Sequence, residues 1–149
     1  MNYLLDTNIL LIYTRNSEFS QEIENEYNLF NPLNNLAISV VTLGEIKAIA
    51  KKQGYGSSKM KILERLLSNL PVIDINIKEI IERYAEIDAY SQGKLQKTKF
   101  SARNMGKNDL WIAATSSFYE LTLLTTDNDF RHLDKSYLKL EEIDIKKYR

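Results

Sequence analysis

Apolar residues along the chain follow two rhythms that take turns. Short apolar runs at 3–5, 36–40, 72–73 and 121–125 have the compactness of buried strands, and longer stretches between them carry apolar positions every three or four residues. In one such stretch Ile80, Ile81, Tyr84, Ile87 and Ala89 recur with charges between them, which predicts a helix over 78–91 that ends near Gly93. The same spacing predicts helices over 7–13, 18–30, 42–53, 59–69 and 108–119, a single helical turn over 127–133, and a last edge strand at 137–140. Asn31-Pro32-Leu33-Asn34-Asn35, Gly54-Tyr55-Gly56-Ser57-Ser58 and Pro71 supply the breaks. Strands alternating with helices predict an α/β fold. Its central sheet is expected to be mostly parallel, of four to five strands with helices on both faces, an α/β/α sandwich. With 149 residues and no internal repeat, one domain over 1–149 is expected.

Composition narrows the classes. Hydrophobic residues at 44% with only five glycines and two prolines exclude a disordered chain. Cysteine is absent, which excludes disulfides and thiolate metal sites and suits a reducing cytoplasm. The start of the chain reads as a core strand, and no run approaches the roughly 18 apolar residues a membrane helix needs, so a cytoplasmic protein is expected. Twenty basic and twenty acidic side chains cancel. A polyanionic partner must therefore meet a local patch. Lys94, Lys97, Lys99, Arg103 and Lys107 form one, with no acid among them, and Lys47, Lys51 and Lys52 could extend it. Such a run is either a solvated loop or a phosphate-holding surface.

The acids carry the chemistry. In sheets of this kind the ligand site lies beyond the carboxyl ends of the strands. Asp6 follows the first predicted strand, Glu45 sits early in the helix after the second, Asp109 opens a helix, and Asp127 follows the strand at 121–125. Each has an ordinary explanation by itself. Asp6, Thr7 or Asn8 could cap a helix, and Thr42 with Glu45 forms a capping box. Asp109 lies where the helix dipole favours a negative charge, and Asp127 and Asp129 belong to an acidic turn. Four independent caps need not land on one sheet edge, however, whereas a cation site requires it. Carboxylates gathered there would repel by about 4 kcal/mol per close pair at an effective dielectric near 20 unless cations or protons intervene, and the set reads as a divalent-metal site. Oxygen ligands suit Mg²⁺ or Mn²⁺. The lone His132 reads as a surface or packing residue, and Trp111 as core.

Four segments resemble the motifs of PIN-domain nucleases, most closely VapC-type toxins of type II toxin–antitoxin pairs. They are Leu4-Leu5-Asp6-Thr7-Asn8-Ile9-Leu10, Ser39-Val40-Val41-Thr42-Leu43-Gly44-Glu45-Ile46, Asn108-Asp109-Leu110-Trp111-Ile112-Ala113-Ala114 and Leu124-Thr125-Thr126-Asp127-Asn128-Asp129-Phe130, in the family's order. The resemblance implies an acidic quartet of Asp6, Glu45, Asp109 and Asp127 that binds Mg²⁺ or Mn²⁺. Asn8 and Thr125 would support it by hydrogen bonding. Asp129 could also reach the metal, and the Thr-x-Asp pattern favours Asp127 as the fourth acid. The implied activity is endoribonuclease cleavage by a metal-activated water, leaving 5′-phosphate and 3′-hydroxyl ends. The implied partners are an RNA substrate, a cognate antitoxin over the acidic cleft and a second copy in a homodimer. A housekeeping RNA-processing nuclease without antitoxin, or a non-catalytic RNA- or protein-binding module on the same fold, remain the alternatives.

Overall fold

Leu4 and Leu5 are both fully buried, yet they belong to different apolar clusters. Neighbouring residues of a strand face opposite sides of a sheet, so this one step divides the protein into layers. In the computed structural model, which describes residues 1–95 and 102–148, strand β1 (Asn2–Leu5) lies at the centre. Leu5 packs with Ile9, Leu10, Ile38, Ile46 and Leu63, on the side of helices α1 (Thr7–Arg15), α2 (Glu18–Tyr27), α3 (Val40–Lys52) and α4 (Ser57–Ser68). Leu4 packs with Ile80, Ile87, Leu110, Ile112 and Ala113, on the side of α5 (Lys78–Ser91) and α6 (Lys107–Tyr119). The central strand β4 (Thr122–Thr125) repeats the division, Leu123 going with the second cluster and Leu124 with the first.

Strands β2 (Asn35–Ser39), β3 (Val72–Ile73) and β5 (Lys139–Glu142) complete a five-stranded sheet in the order β3-β2-β1-β4-β5. Every neighbouring pair is parallel. The expected α/β/α sandwich is thus the observed fold. From β1 the chain builds outward to β2 and β3, then returns to the other side of β1 for β4 and β5. The direction reverses between β1 and β4, and a crevice opens at such a reversal beyond the carboxyl ends of the two strands. Asp6 and Asp127 lie just past those ends.

Element boundaries differ from expectation where local caps decide. Helix α3 begins at Val40, two residues early, because Ser39 is extended (φ −74°, ψ 149°) and its Oγ accepts from the Val41 N–H at 3.1 Å. Thr42 is therefore inside the helix and fully buried, and the expected capping box does not form. Helix α2 stops at Tyr27, three residues early, because Asn28 turns left-handed (φ 49°, ψ 46°) and donates its N–H to the Glu24 carbonyl. The turn expected over 127–133 tightens into a 3-10 turn at Arg131–Leu133, and the last strand lies two residues later than 137–140.

Candidate metal centre

Asp6 caps α1 and also belongs to the acid cluster, so the two readings of this residue coexist. Its Oδ1 accepts the Thr7 N–H at 2.7 Å, and its Oδ2 accepts the Thr125 hydroxyl at 2.7 Å. Both oxygens are engaged, and the residue is only 4% exposed. Burial raises its carboxyl above the usual range, the hydrogen bonds from Thr125 and Thr7 pull it down, and Glu45 and Asp127 push it up again.

Thr125 is the hinge between the two central strands. Its hydroxyl donates to Asp6 and accepts the Asp127 N–H at 3.0 Å, while Asn8 Nδ2 reaches both Thr125 Oγ1 and Asp6 Oδ2 at 3.4 Å. Asn8 Oδ1 also receives the Thr126 N–H at 3.3 Å. These bonds set the chain after β4 against the start of α1. Asp127 Oδ1 in turn accepts the Asp129 N–H at 2.9 Å, folding the acidic turn so that both of its acids face the same space.

Glu45 does not cap α3. Its Oε1 accepts the Thr7 hydroxyl at 2.8 Å, a contact between α1 and α3 across 38 residues of chain. Asp109 enters on the first turn of α6. Its carboxyl is pushed up to about 7, first by burial and then by the charges of Asp6, Asp127, Glu45 and Asp129. All five acids therefore share one region. Asp109, Asp127 and Asp129 come closest, each offering an oxygen within 4.8 Å of the others. The sequence patterns favoured Asp127 over Asp129, and the structure gathers both beside Asp109. Thr7 is the residue that sequence reasoning passed over, because a hydroxyl after a capping acid carries no mark of its reach to a distant helix.

The other candidates divide. Arg103, with Asn104 and Met105, lines a small cavity of about 220 Å³ that also touches Asp129, so this cation borders the acids. Lys107 is the exposed first residue of α6, and Lys94 is exposed just past the end of α5. Lys97 and Lys99 lie outside the described residues. His132 packs as expected: Nε2 lies 2.8 Å from Ser91 Oγ, the ring stacks against Tyr90, and burial lowers its basicity. Trp111 rests on Tyr84 with ring centroids 4.2 Å apart, and it is half-buried against the second apolar cluster rather than within the core as expected.

Four motifs in order, with their acids at the reversal point of a parallel sheet, match the PIN domain pattern over residues 3–136. The chain belongs to the PIN domain family. Among solved structures this PIN domain is similar to VapBC2 from Rickettsia felis bound to a DNA fragment from its promoter, with 25% identity over 97% of this chain and 100% of that one and a TM-score of 0.74. It is also similar to DNA-bound VapBC from Salmonella typhimurium, with 21% identity, coverage of 95% and 98%, and a TM-score of 0.68. A third is VapBC-5 from Mycobacterium tuberculosis, a member of the VapBC family of toxin–antitoxin systems, with 20% identity, coverage of 95% and 98%, and a TM-score of 0.64. No curated protein sequence matches the chain.

The donors fit a hard divalent cation. Every acid at the centre offers oxygen, burial and the neighbouring charges together raise the Asp109 carboxyl to about 7, and a doubly charged ion would offset that mutual repulsion. Because Thr125 orients Asp6 and the Asp127 backbone together, Thr125→Val should weaken Mn²⁺ binding about tenfold at pH 7.5, measured by calorimetry, with the circular dichroism spectrum unchanged.

Proposed function

We propose that this PIN domain is a metal-dependent endoribonuclease, the toxin of a type II toxin–antitoxin pair. The observation that carries the reading is the convergence of five carboxylates on the Asp109 region, with neutral and hydroxyl side chains spent on orienting them. Similarity to VapBC structures supports an antitoxin as partner. In this reading the domain comprises residues 1–149, works in the cytoplasm and forms a homodimer.

Asp6 and Asp109 would be the central ligands of Mg²⁺ or Mn²⁺, with Asp127 a further ligand and Asp129 beside it. When bound, the ion supplies a water of lowered pKa and offsets charge on the attacking and leaving oxygens. Glu45, which accepts the Thr7 hydroxyl, would orient that water and take its proton. In this reading the water oxygen would bond to phosphorus as the bond from phosphorus to the 3′-oxygen breaks, the departing 3′-oxygen would take a proton from solvent, and the products would carry 5′-phosphate and 3′-hydroxyl ends. Asn8 and Thr125 hold Asp6 and the Asp127 turn in place throughout. Arg103 and Lys107, with Lys94, Lys97 and Lys99, would hold phosphates beside an otherwise repulsive cleft.

The test sequences RNA 5′ ends after brief induction of the protein in cells. New 5′-phosphate ends at defined sites are expected with the wild-type chain and none with Asp6→Asn. Purified protein should cut the same RNA with Mn²⁺ and lose the activity in EDTA. Undiminished cleavage by Asp6→Asn would contradict the mechanism.

A further inference from the structure

The acid cluster has a neighbour on its β2 side. A groove of about 460 Å³ runs along α3, lined by Val40, Gly44, Glu45, Ala48 and Lys52 together with Asn108 of α6. Two of these residues tie it to the centre already described. Glu45 belongs to both, and Asn108 adjoins Asp109 in the chain. From Glu45 to Lys52 the helix rises about 10 Å, at about 1.5 Å per residue, and positions 41, 44, 48 and 52 follow one helical face. The floor is small and apolar, and a Cβ added at Gly44 would meet nothing within 4 Å. Val40 is 38% exposed at the groove's start.

We propose that this groove seats one nucleotide of single-stranded RNA next to the phosphate being cut, its base on the Val40–Gly44–Ala48 floor and its phosphate on Lys52. The inference rests on the nuclease reading and goes beyond it by naming where substrate lies. Three features select this occupant. Glu45 lines the groove and also acts on Asp109 within the acid cluster, and Asn108 directly precedes Asp109, so the groove borders the acids. Its apolar floor can bury the face of a base that a single strand can turn outward, which a duplex does not offer. Lys52 ends the groove as an exposed cation that makes no ion pair among the described residues. The C-terminal end of a helix favours any cation, and that alone would explain Lys51 and Lys52 together. Only Lys52 of the two lines this groove, however, whereas Lys51 faces the separate hollow between α3 and α4.

Gly44 has open space around an added Cβ, and replacing an interior helical glycine favours the helix, so Gly44→Leu should fold at least as well as the parent while placing bulk on the floor. Steady-state cleavage of a short labelled oligoribonucleotide with Mn²⁺ is the measurement. Gly44→Leu is expected to raise KM about tenfold while kcat changes less than about twofold, with the thermal shift caused by Mn²⁺ equal to that of wild type. Lys52→Ala should raise KM about threefold and reduce the slope of log affinity against log salt by about 0.7. Unchanged KM in both variants would overturn the proposal. A changed mass by light scattering with KM unaltered would overturn it too, assigning the face to a second copy or another protein. Absence of RNA cleavage by the wild-type chain is a separate result, one that removes the nuclease reading and this inference with it.

Discussion

Asp109→Asn should abolish Mn²⁺ binding and RNA cleavage while making the cation-free protein more stable at pH 7.5. The two effects have one cause. Asp109 sits on the first turn of α6, and burial first and then the charges of four other carboxylates raise its carboxyl to about 7. Ionising it in the absence of a cation costs folding free energy, because a carboxylate in the unfolded chain ionises near its ordinary value without that opposition. Asparagine keeps the size and polarity and removes the charge. We expect a gain of about 1–3 kcal/mol at pH 7.5, seen as a melting temperature several degrees higher in EDTA. With Mn²⁺ present the order should reverse, since the wild-type chain gains a ligand and the variant does not. A variant that lost activity and stability together in EDTA would mark Asp109 as a packing residue.

The second large effect is a pH-dependent stabilisation by Mn²⁺. Asp109 titrates near 7 in the folded protein and near 3.8 in the unfolded chain. Between those values the folded state binds the extra proton. Stability of the cation-free protein should therefore fall as pH rises from about 4 to about 7 and level off above that. Asp6, also raised, acts in the same direction. A divalent cation requires the ionised carboxylates and competes with those protons, so its effect has the opposite slope. Mn²⁺ should shift the melting temperature little at pH 5 and by many degrees at pH 8. The check is a thermal melt series across that range with Mn²⁺ or EDTA. An equal shift at both ends of the range would place the binding elsewhere.

Much of this architecture was legible because β1 and β4 are short, each carries a pair of adjacent leucines, and each is followed at once by polar residues. Leu4-Leu5-Asp6 and Leu124-Thr125-Thr126-Asp127 mark both the strand and the point at which the chain leaves the sheet. Long amphipathic stretches such as α5 emerged with their boundaries intact, since their periodicity extends over several turns. Boundaries set by a single hydrogen bond were not legible. Ser39 and Thr42 are equally good caps by residue type, and the choice fell to Ser39 because β2 ends there and Thr42 is required in the interior. The left-handed Asn28 that closes α2 likewise looks like any asparagine near a loop.

The site divides along the same line. Asp6, Glu45, Asp109 and Asp127 each follow a recognisable strand end or helix start, so topology alone brings them together. The parts that orient them depend on side-chain reach between distant segments. Thr7 donating to Glu45 and Asp129 turning toward Asp109 depend on rotamers and a turn, neither of which has a sequence period. The capping-box reading of Glu45 failed for the same reason: its side chain found a partner 38 residues away and left the local one.

Diffraction from crystals soaked in Mn²⁺, recorded at the manganese absorption edge, tests the central claim most directly. The account requires an anomalous peak among the carboxylates of Asp109, Asp127 and Asp6, at ordinary metal–oxygen distances of about 2.0–2.3 Å. An empty cleft at saturating Mn²⁺, or a peak confined to acids elsewhere on the surface, would contradict it.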